Sequence, residues 1–334
     1  LTFVDVVVGG QFGSEAKGTV AARLIDRRGD QLRCSVRVGG PNAGHTVIDH
    51  AGNVLRLRQV PVGVIFPDCA LAIAAGSEVD FEVLDAELET LEALGYSVRD
   101  RLVIDPSATV LEPDDKATEV ALELTQRLGS TAKGIGAARA NRIYRVGRTI
   151  RDAPEALDRG VVIPFARMVK LYDYVCLEGT QGYGLGLHTR YYPFTTSGDC
   201  RAIDVLAQVG VSPWDPRISY VQPWVVFRPF PIRVAGNSGP LLDETTWEAL
   251  GLEPEFTTVT KKMRRVGRWD TGLALEAIRA NGTDVSVAIT MADQTTGYDL
   301  DDIIVEIGQM GAQVRMVGHG PGLPEYTWYP GGKP

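Results

Sequence analysis

Short apolar runs, many of them β-branched, alternate along this chain with segments whose apolar positions recur every three or four residues. The runs Val6–Val8, Ser35–Val38, Leu71–Ala74, Leu102–Ile104, Val175–Leu177, Ser219–Val226, Val285–Thr290 and Ile303–Ile307 predict strands. The segments Thr19–Arg28, Phe81–Leu94, Asp114–Leu128, Cys200–Val209 and Thr271–Asn281 predict helices. In the second of these, Phe81, Leu84, Leu88, Leu91 and Leu94 form one apolar stripe with acidic residues between them, and Gly95 stops the helix. Such alternation predicts an α/β fold with a mostly parallel central sheet flanked by helices. Sheets of this kind bind ligands beyond the carboxyl ends of their strands. The Gly- and Pro-rich stretches 129–136, 179–198 and 318–332 therefore read as functional loops rather than hinges. Without a repeat, a low-complexity segment or a linker, residues 1–334 are expected to form one domain.

Composition narrows the function. Of 334 residues, 44% are hydrophobic and 23% charged, as in an ordinary globular chain. A net charge of −8 and a pI near 5.2 argue against a nucleic-acid polymer as partner, since phosphate neutralisation needs a basic face. The basic cluster Lys261–Arg265 stands out against this acidic background. Cys34, Cys69, Cys176 and Cys200 lack C-x-x-C spacing and read as buried reduced thiols in a cytoplasmic protein. No apolar run approaches a membrane span, and the first residues enter a strand at once instead of showing a signal-peptide pattern.

The first strand runs into Gly9-Gly10-Gln11-Phe12-Gly13-Ser14-Glu15-Ala16-Lys17-Gly18-Thr19. Glycines between a strand and a helix let backbone N–H groups approach an anion, and the helix N-terminus and a lysine add positive charge. The same composition also makes a plain tight turn. The spacing is not a Walker A loop, because its two glycines would fall on Gln11 and Ala16. A second glycine-rich segment, Gly39-Gly40-Pro41-Asn42-Ala43-Gly44-His45-Thr46, follows the second strand.

Together these two segments resemble the signature of the adenylosuccinate synthetase family, whose first loop usually reads G-x-Q-(W/F)-G-D-E-G-K-G. Here Ser14 replaces the aspartate that serves the family as catalytic base, and Ala16 replaces a glycine. A serine at that place is a feature of the bacteriophage branch, which makes 2-aminoadenylosuccinate from deoxyguanylate. The resemblance continues in order to Pro321. Ser130-Thr131-Ala132-Lys133-Gly134-Ile135-Gly136 resembles T-T-G-R-G-I-G, and Asn141–Arg145 parallels D-K-x-x-R. Glu178-Gly179-Thr180-Gln181-Gly182 is similar to E-G-A-Q-G, and Tyr191–Ser197 to Y-P-Y-V-T-S. Thr257–Arg265 resembles the loop that closes over L-aspartate, Thr290-Met291-Ala292-Asp293 the base-reading T-K-x-D turn, and Gly318-His319-Gly320-Pro321 the S-T-G-P loop. Gly198-Asp199-Cys200 departs from the usual asparagine-threonine pattern, and no role follows for it.

The resemblance implies a ligase with Ser14, Lys17, His45 and Gln181 as the catalytic set. His45 would polarise the purine O6 and assist phosphoryl transfer to it. Ser14, Asn42, Ser130, Thr131, Gln181, Thr196 and Lys262 would hold the nucleoside monophosphate, joined by Arg145 from the neighbouring subunit of a homodimer. Thr260, Lys262 and Arg264 would hold L-aspartate. The triphosphate would lie on Gly13, Ser14, Glu15, Ala16, Lys17, Gly18, Gly44, His45, Thr46, Arg264, Asp293, Gly318, Gly320 and Pro321. Mg²⁺ would meet the Gly44 carbonyl and Ser14. The implied reaction joins dGMP and L-aspartate at the expense of ATP or dATP. Retained Asp293 favours GTP instead, while Met291 loosens guanine selection. An IMP-using adenylosuccinate synthetase and an inactive nucleotide-binding regulator are the alternatives.

Overall fold

The computed structural model describes residues 1–257, 262–282, 284–295 and 300–329. Its centre is one ten-stranded sheet. In chain order the strands are β1 (Thr2–Gly9), β2 (Arg33–Arg37), β3 (Ala70–Ile73), β4 (Leu102–Ile104), β5 (Val161–Val162), β6 (Tyr174–Gly182), β7 (Ile218–Phe227), β8 (Ser286–Ile289), β9 (Gln313–Gly318) and β10 (Tyr326–Trp328). Across the sheet they lie β10-β9-β8-β7-β1-β6-β2-β3-β4-β5. Every pair is parallel except β9–β10, as the strand–helix alternation predicts.

β1 lies mid-sheet and is apolar on both faces because helices cover both. Val7 packs with Val20, Ala21, Leu24 and Ile25 of helix α1 (Lys17–Asp26). Val4, Val6 and Val8 point the other way, into a core shared with Leu206, Val209, Ala277 and Ile278. Glycine loops leaving the carboxyl ends of β1, β6 and β9 therefore open on one rim of the sheet.

Helix α2 (Phe81–Ala93) starts at Asp80, whose carboxylate accepts from the Val83 amide, and it buries Leu84, Leu88 and Leu91. Leu94 falls past its end and is exposed. The segment Asp114–Leu128 is two helices, α3 (Pro113–Ala121) and α4 (Leu124–Leu128), broken at Glu123, whose φ is 53°. Helix α5 (Ile135–Tyr144) begins inside a stretch expected to be loop. The expected strand Ile303–Ile307 lies within a helix, Leu300–Gln309, and the strand belongs instead to β9. That helix buries Ile303 and Ile307, one turn apart, and leaves Val305 exposed. The stretch 318–332, also expected to be loop, contains β10, and residues 330–332 lie outside the described residues. All four cysteines are buried and unbonded. No described helix is long and apolar enough to cross a membrane.

Candidate active site

The loop after β1 is built around the carboxylate of Glu15, which is fully buried. One oxygen accepts from the Gln11 and Gly13 amides at 3.1 and 2.8 Å, and the other lies 2.7 Å from Lys17 Nζ. A Cβ on Gly9 or on Gly182 would come within 2.5 Å of this carboxylate, so both glycines are what let it sit there. The Glu15 side chain thus organises the loop, and its amide and its neighbours' amides are what remain for an anion. Ala16 precedes α1 with φ 56° and ψ 35°. A left-handed non-glycine residue costs about 1–2 kcal/mol, which accounts for the glycine usual at this place.

The start of α1 packs on a hairpin formed by His45–Ile48 and Val54–Leu57, bringing Gly18 beside His45 and the Thr46 carbonyl. Nδ1–H of His45 donates to Glu178 Oε2 at 3.0 Å. Arg37 Nη1 donates to Glu178 Oε1 and Nη2 to the Ala43 carbonyl, each at 2.9 Å. All three side chains are buried. Burial pushes the His45 imidazole below its ordinary 6.5, helped by the Arg37 cation and opposed by Glu178. Burial alone would raise the Glu178 carboxyl, but His45 and Arg37 hold it down at about 2. The ring is pinned through Nδ1, while Nε2 is buried beside the Val60 backbone without a hydrogen bond of good geometry. A polar atom in that condition costs about 1–3 kcal/mol unless a ligand completes it.

Ser14 is exposed and left-handed (φ 61°), and its hydroxyl accepts a hydrogen bond from Arg264 Nη1, 250 residues away. Beneath this pair Arg228 is fully buried, donating to the Ser14 carbonyl at 3.3 Å and pairing with Glu255. The Glu255 carbonyl accepts from the Arg264 amide at 2.8 Å. Gln11 clamps the Arg228 backbone, donating to its carbonyl at 2.9 Å and accepting from its amide at 3.2 Å. Lys262 is exposed, and Thr260 lies outside the described residues.

Asn42, Gln181 and Thr196 come together in a small cleft with Thr180, Arg139 and Gly198. Ser130 and Thr131 do not line it: Ser130 Oγ accepts from the Ala132 amide, and Thr131 is exposed. The Gly134 and Gly136 amides that open α5 donate to Glu119 at 2.8 and 2.7 Å. Arg145 is exposed at the end of α5, away from the cleft lining. Asp293 lies exposed in the turn after β8, Gly318 ends the adjacent β9, and Gly320 and Pro321 follow it. The Tyr326 ring lies against Gly318; burial raises its phenol, a hydrogen bond with Thr19 of α1 opposes that, and the nearby Asp293 charge adds to it. Gly44 is exposed just before the hairpin.

Sequence reasoning missed Arg37, Arg228, Glu255, Arg139 and the pairing role of Glu178. A charged residue directly after a buried apolar stretch, as Arg37 follows Val36 and Glu178 follows Leu177, was the available signal, because a buried charge needs a partner. Among the described residues no group of three or more His, Cys, Asp or Glu could hold a metal.

The adenylosuccinate synthetase family profile matches residues 6–161 and 165–308. The adenylosuccinate synthetase of Archaeoglobus fulgidus is 36% identical over 298 residues, covering 86% of this chain and 83% of that protein. That of Pyrococcus horikoshii is 35% identical over 350 residues, covering 95% and 96%. Among solved structures, the succinoaminodeoxyadenylate synthetase of cyanophage S-2L, bound to dGMP and to dATP as energy donor, superposes with a TM-score of 0.86 at 30% identity, covering 99% of this chain and 96% of that one. The fully ligated Plasmodium falciparum adenylosuccinate synthetase shares the fold (TM-score 0.80, 18% identity, covering 98% and 99%). With a charged, buried site on the loops after β1, β2 and β6 and a family match across most of its length, the chain belongs to the adenylosuccinate synthetase family of carbon–nitrogen ligases.

Proposed function

We propose that this ligase condenses dGMP with L-aspartate. A triphosphate donor, ATP or dATP, transfers its terminal phosphoryl group to O6 of the purine while the N1 proton passes to a water, a phosphate oxygen of the donor or the substrate itself. The aspartate amine then attacks C6, the C6–O6 bond breaks, and phosphate leaves. The products are the nucleoside diphosphate, phosphate and 2-amino-2′-deoxy-N6-succinyladenylate.

The observation that carries this reading is Ser14. A carboxylate at that place can take the purine N1 proton, whereas a neutral hydroxyl cannot at neutral pH. Serine is also shorter and leaves room for the 2-amino group of guanine. Its hydroxyl is held by Arg264, so the group that would clamp aspartate lies against the residue that would select the base. The likeness to the cyanophage protein bound to dGMP and dATP supports the same substrate. The curated relatives are named adenylosuccinate synthetase, which favours IMP as the competing substrate. The regulator reading is disfavoured by the His45–Glu178–Arg37 assembly and by Arg264, which a bare nucleotide binder does not need.

In the proposed site, His45 Nε2 meets O6 as charge develops on it, with Glu178 stabilising the protonated ring. Lys17 and the loop amides neutralise the donor phosphates. Asn42, Gln181 and Thr196 hold the monophosphate. The oxygen donors here, the Ser14 hydroxyl and the Gly44 carbonyl, suit Mg²⁺, which is bound chiefly by substrate phosphates and water; when bound it would supply charge neutralisation at the transferred group.

Incubating the protein with dGMP or IMP, ATP and L-aspartate, then weighing the products, tests the reading. The dGMP product is expected to dominate, and Ser14→Asp should lower dGMP turnover sharply. Preference for IMP by the wild type, or full dGMP turnover by Ser14→Asp, would overturn it. Arg264→Ala removes a charge-assisted contact of roughly 1.5–3 kcal/mol to a carboxylate. The aspartate KM should accordingly rise about 10- to 100-fold, and an unchanged KM would place the clamp elsewhere.

The homodimer is part of the same proposal. Ile143, Tyr144 and Val146, each more than 70% exposed, flank Arg145, and Val120 and Leu122 lie exposed at the end of α3, which packs on α5. Apolar patches of this kind mark interaction surfaces. Light scattering should give about twice the 36.2 kDa chain mass; a monomer would remove Arg145 from the neighbouring site.

A further inference from the structure

The cleft holding Asn42, Gln181 and Thr196 contains a cation that the proposed monophosphate contacts do not include. Arg139, on the second turn of α5, donates Nε to Glu78 Oε1 at 2.7 Å and Nη2 to Glu78 Oε2 at 3.3 Å. Glu78 is buried, and its carboxylate holds the guanidinium side-on. Burial disfavours the Arg139 charge, but Glu78 more than restores it. Two of the five N–H donors of an arginine are spent in this way. Nη1 has no hydrogen-bond partner among the described residues.

Nη1 is placed by Gly198. A Cβ on that residue would sit 2.2 Å from Arg139 Nη1, so only glycine leaves the space the guanidinium fills. Gly198 begins the segment whose departure from the family pattern had no assigned role. The acid beside it, Asp199, is already engaged: it accepts from His188 Nδ1 at 2.7 Å and from the His188 amide at 3.2 Å. The remaining polar groups of the cleft are amides and hydroxyls from Asn42, Thr180, Gln181, Thr196 and Gln208. A cleft lined by one held guanidinium whose Nη1 lies against Gly198, by neutral donors and by a carboxylate already tied to His188 suits a dianionic phosphate.

We propose that Arg139 is a substrate-binding residue, donating Nη1 to the 5′-phosphate of the nucleoside monophosphate from within the same chain, with Glu78 and Gly198 as the residues that position it. This rests on the monophosphate reading of the cleft but not on which purine the site accepts. It also gives each subunit a phosphate cation of its own, independent of Arg145 from a neighbour.

The test uses the full chain and two variants. Arg139→Gln removes the cation. Gly198→Ala keeps it but displaces its far end, and the atom in the way is the tip of a flexible side chain, so the fold should survive. Both variants should weaken binding of the monophosphate, dGMP or IMP, about 10- to 100-fold by titration calorimetry. The aspartate KM should stay within twofold and the melting temperature of Gly198→Ala should be unchanged. Arg139→Lys should recover only part of the affinity, since it keeps the charge and loses the fork. Monophosphate affinity within twofold of wild type in both variants would overturn the proposal, as would an equal rise in the aspartate KM. If the wild type accepts IMP and not dGMP, the substrate reading fails while the Arg139 effect should still appear with IMP.

Discussion

Replacing His45 with asparagine is expected to lower kcat by about two to four powers of ten, the range for removing a positioned proton donor or acceptor, while the KM values for both nucleotides change little. The reason is the asymmetry of the ring. Nδ1 is fixed by Glu178 at 3.0 Å, whereas Nε2 is buried and unsatisfied. A buried polar atom left unpaired beside glycine-rich loops is a candidate for completion by a ligand. Burial disfavours the charged imidazole, and an approaching anionic phosphoryl group favours it. Steady-state kinetics separate the possibilities: a raised KM with unchanged kcat would make His45 a binding group and remove it from the chemistry.

Glu178→Gln is expected to be the most destabilising conservative change in the site. Arg37 is 2% exposed and Glu178 is 1% exposed. Removing one charge of a buried pair leaves the other uncompensated, a loss of about 3–5 kcal/mol. Urea denaturation at neutral pH should report it. The pH dependence fixes the cause. The Glu178 carboxyl lies at about 2 in the folded protein against an ordinary 4.5. The unfolded chain therefore binds the proton first as pH falls, and the stability this carboxylate contributes is complete above about pH 4.5 and is lost as pH drops toward 2. The difference between wild type and Glu178→Gln should shrink across that interval. A constant difference, or one under about 1 kcal/mol at neutral pH, would mean that the pair contributes little.

How far the sequence could be read depends on whether the information was local. The glycine loop after β1, the apolar run of β1 and the stripe of α2 are all written within a dozen residues, and each appears where periodicity and capping place it. The run Ile303–Ile307 shows where this fails. Four apolar residues out of five fit a buried strand or one side of a helix equally well. The outcome followed from Ile303 and Ile307 reaching the core together while Val305 faced solvent. Likewise, nothing in Asp114–Leu128 announces the left-handed Glu123 that splits it.

The candidate site divides in the same way. Its glycine loops and His45 could be marked because the motifs are contiguous and keep the family's order, whereas Ser130 and Thr131 stand outside the cleft that Asn42, Gln181 and Thr196 line. Its charge partners could not be marked. Glu178 lies 133 residues from His45 and 141 from Arg37, Arg264 lies 250 from Ser14, and Arg139 meets Glu78 across 61. The sequence by itself determined the parallel α/β architecture and the family, and it marked the glycine loops on which the site is proposed, since these rest on local periodicity and contiguous motifs. Only the tertiary structure decided which carboxylates build the loops, as Glu15 and Glu119 do, and which cations are held against a partner or left with a free edge. A buried charge takes its partner from whatever strand the sheet order lays beside it, and β2 and β6 are adjacent in space though separated by more than a hundred residues in the chain.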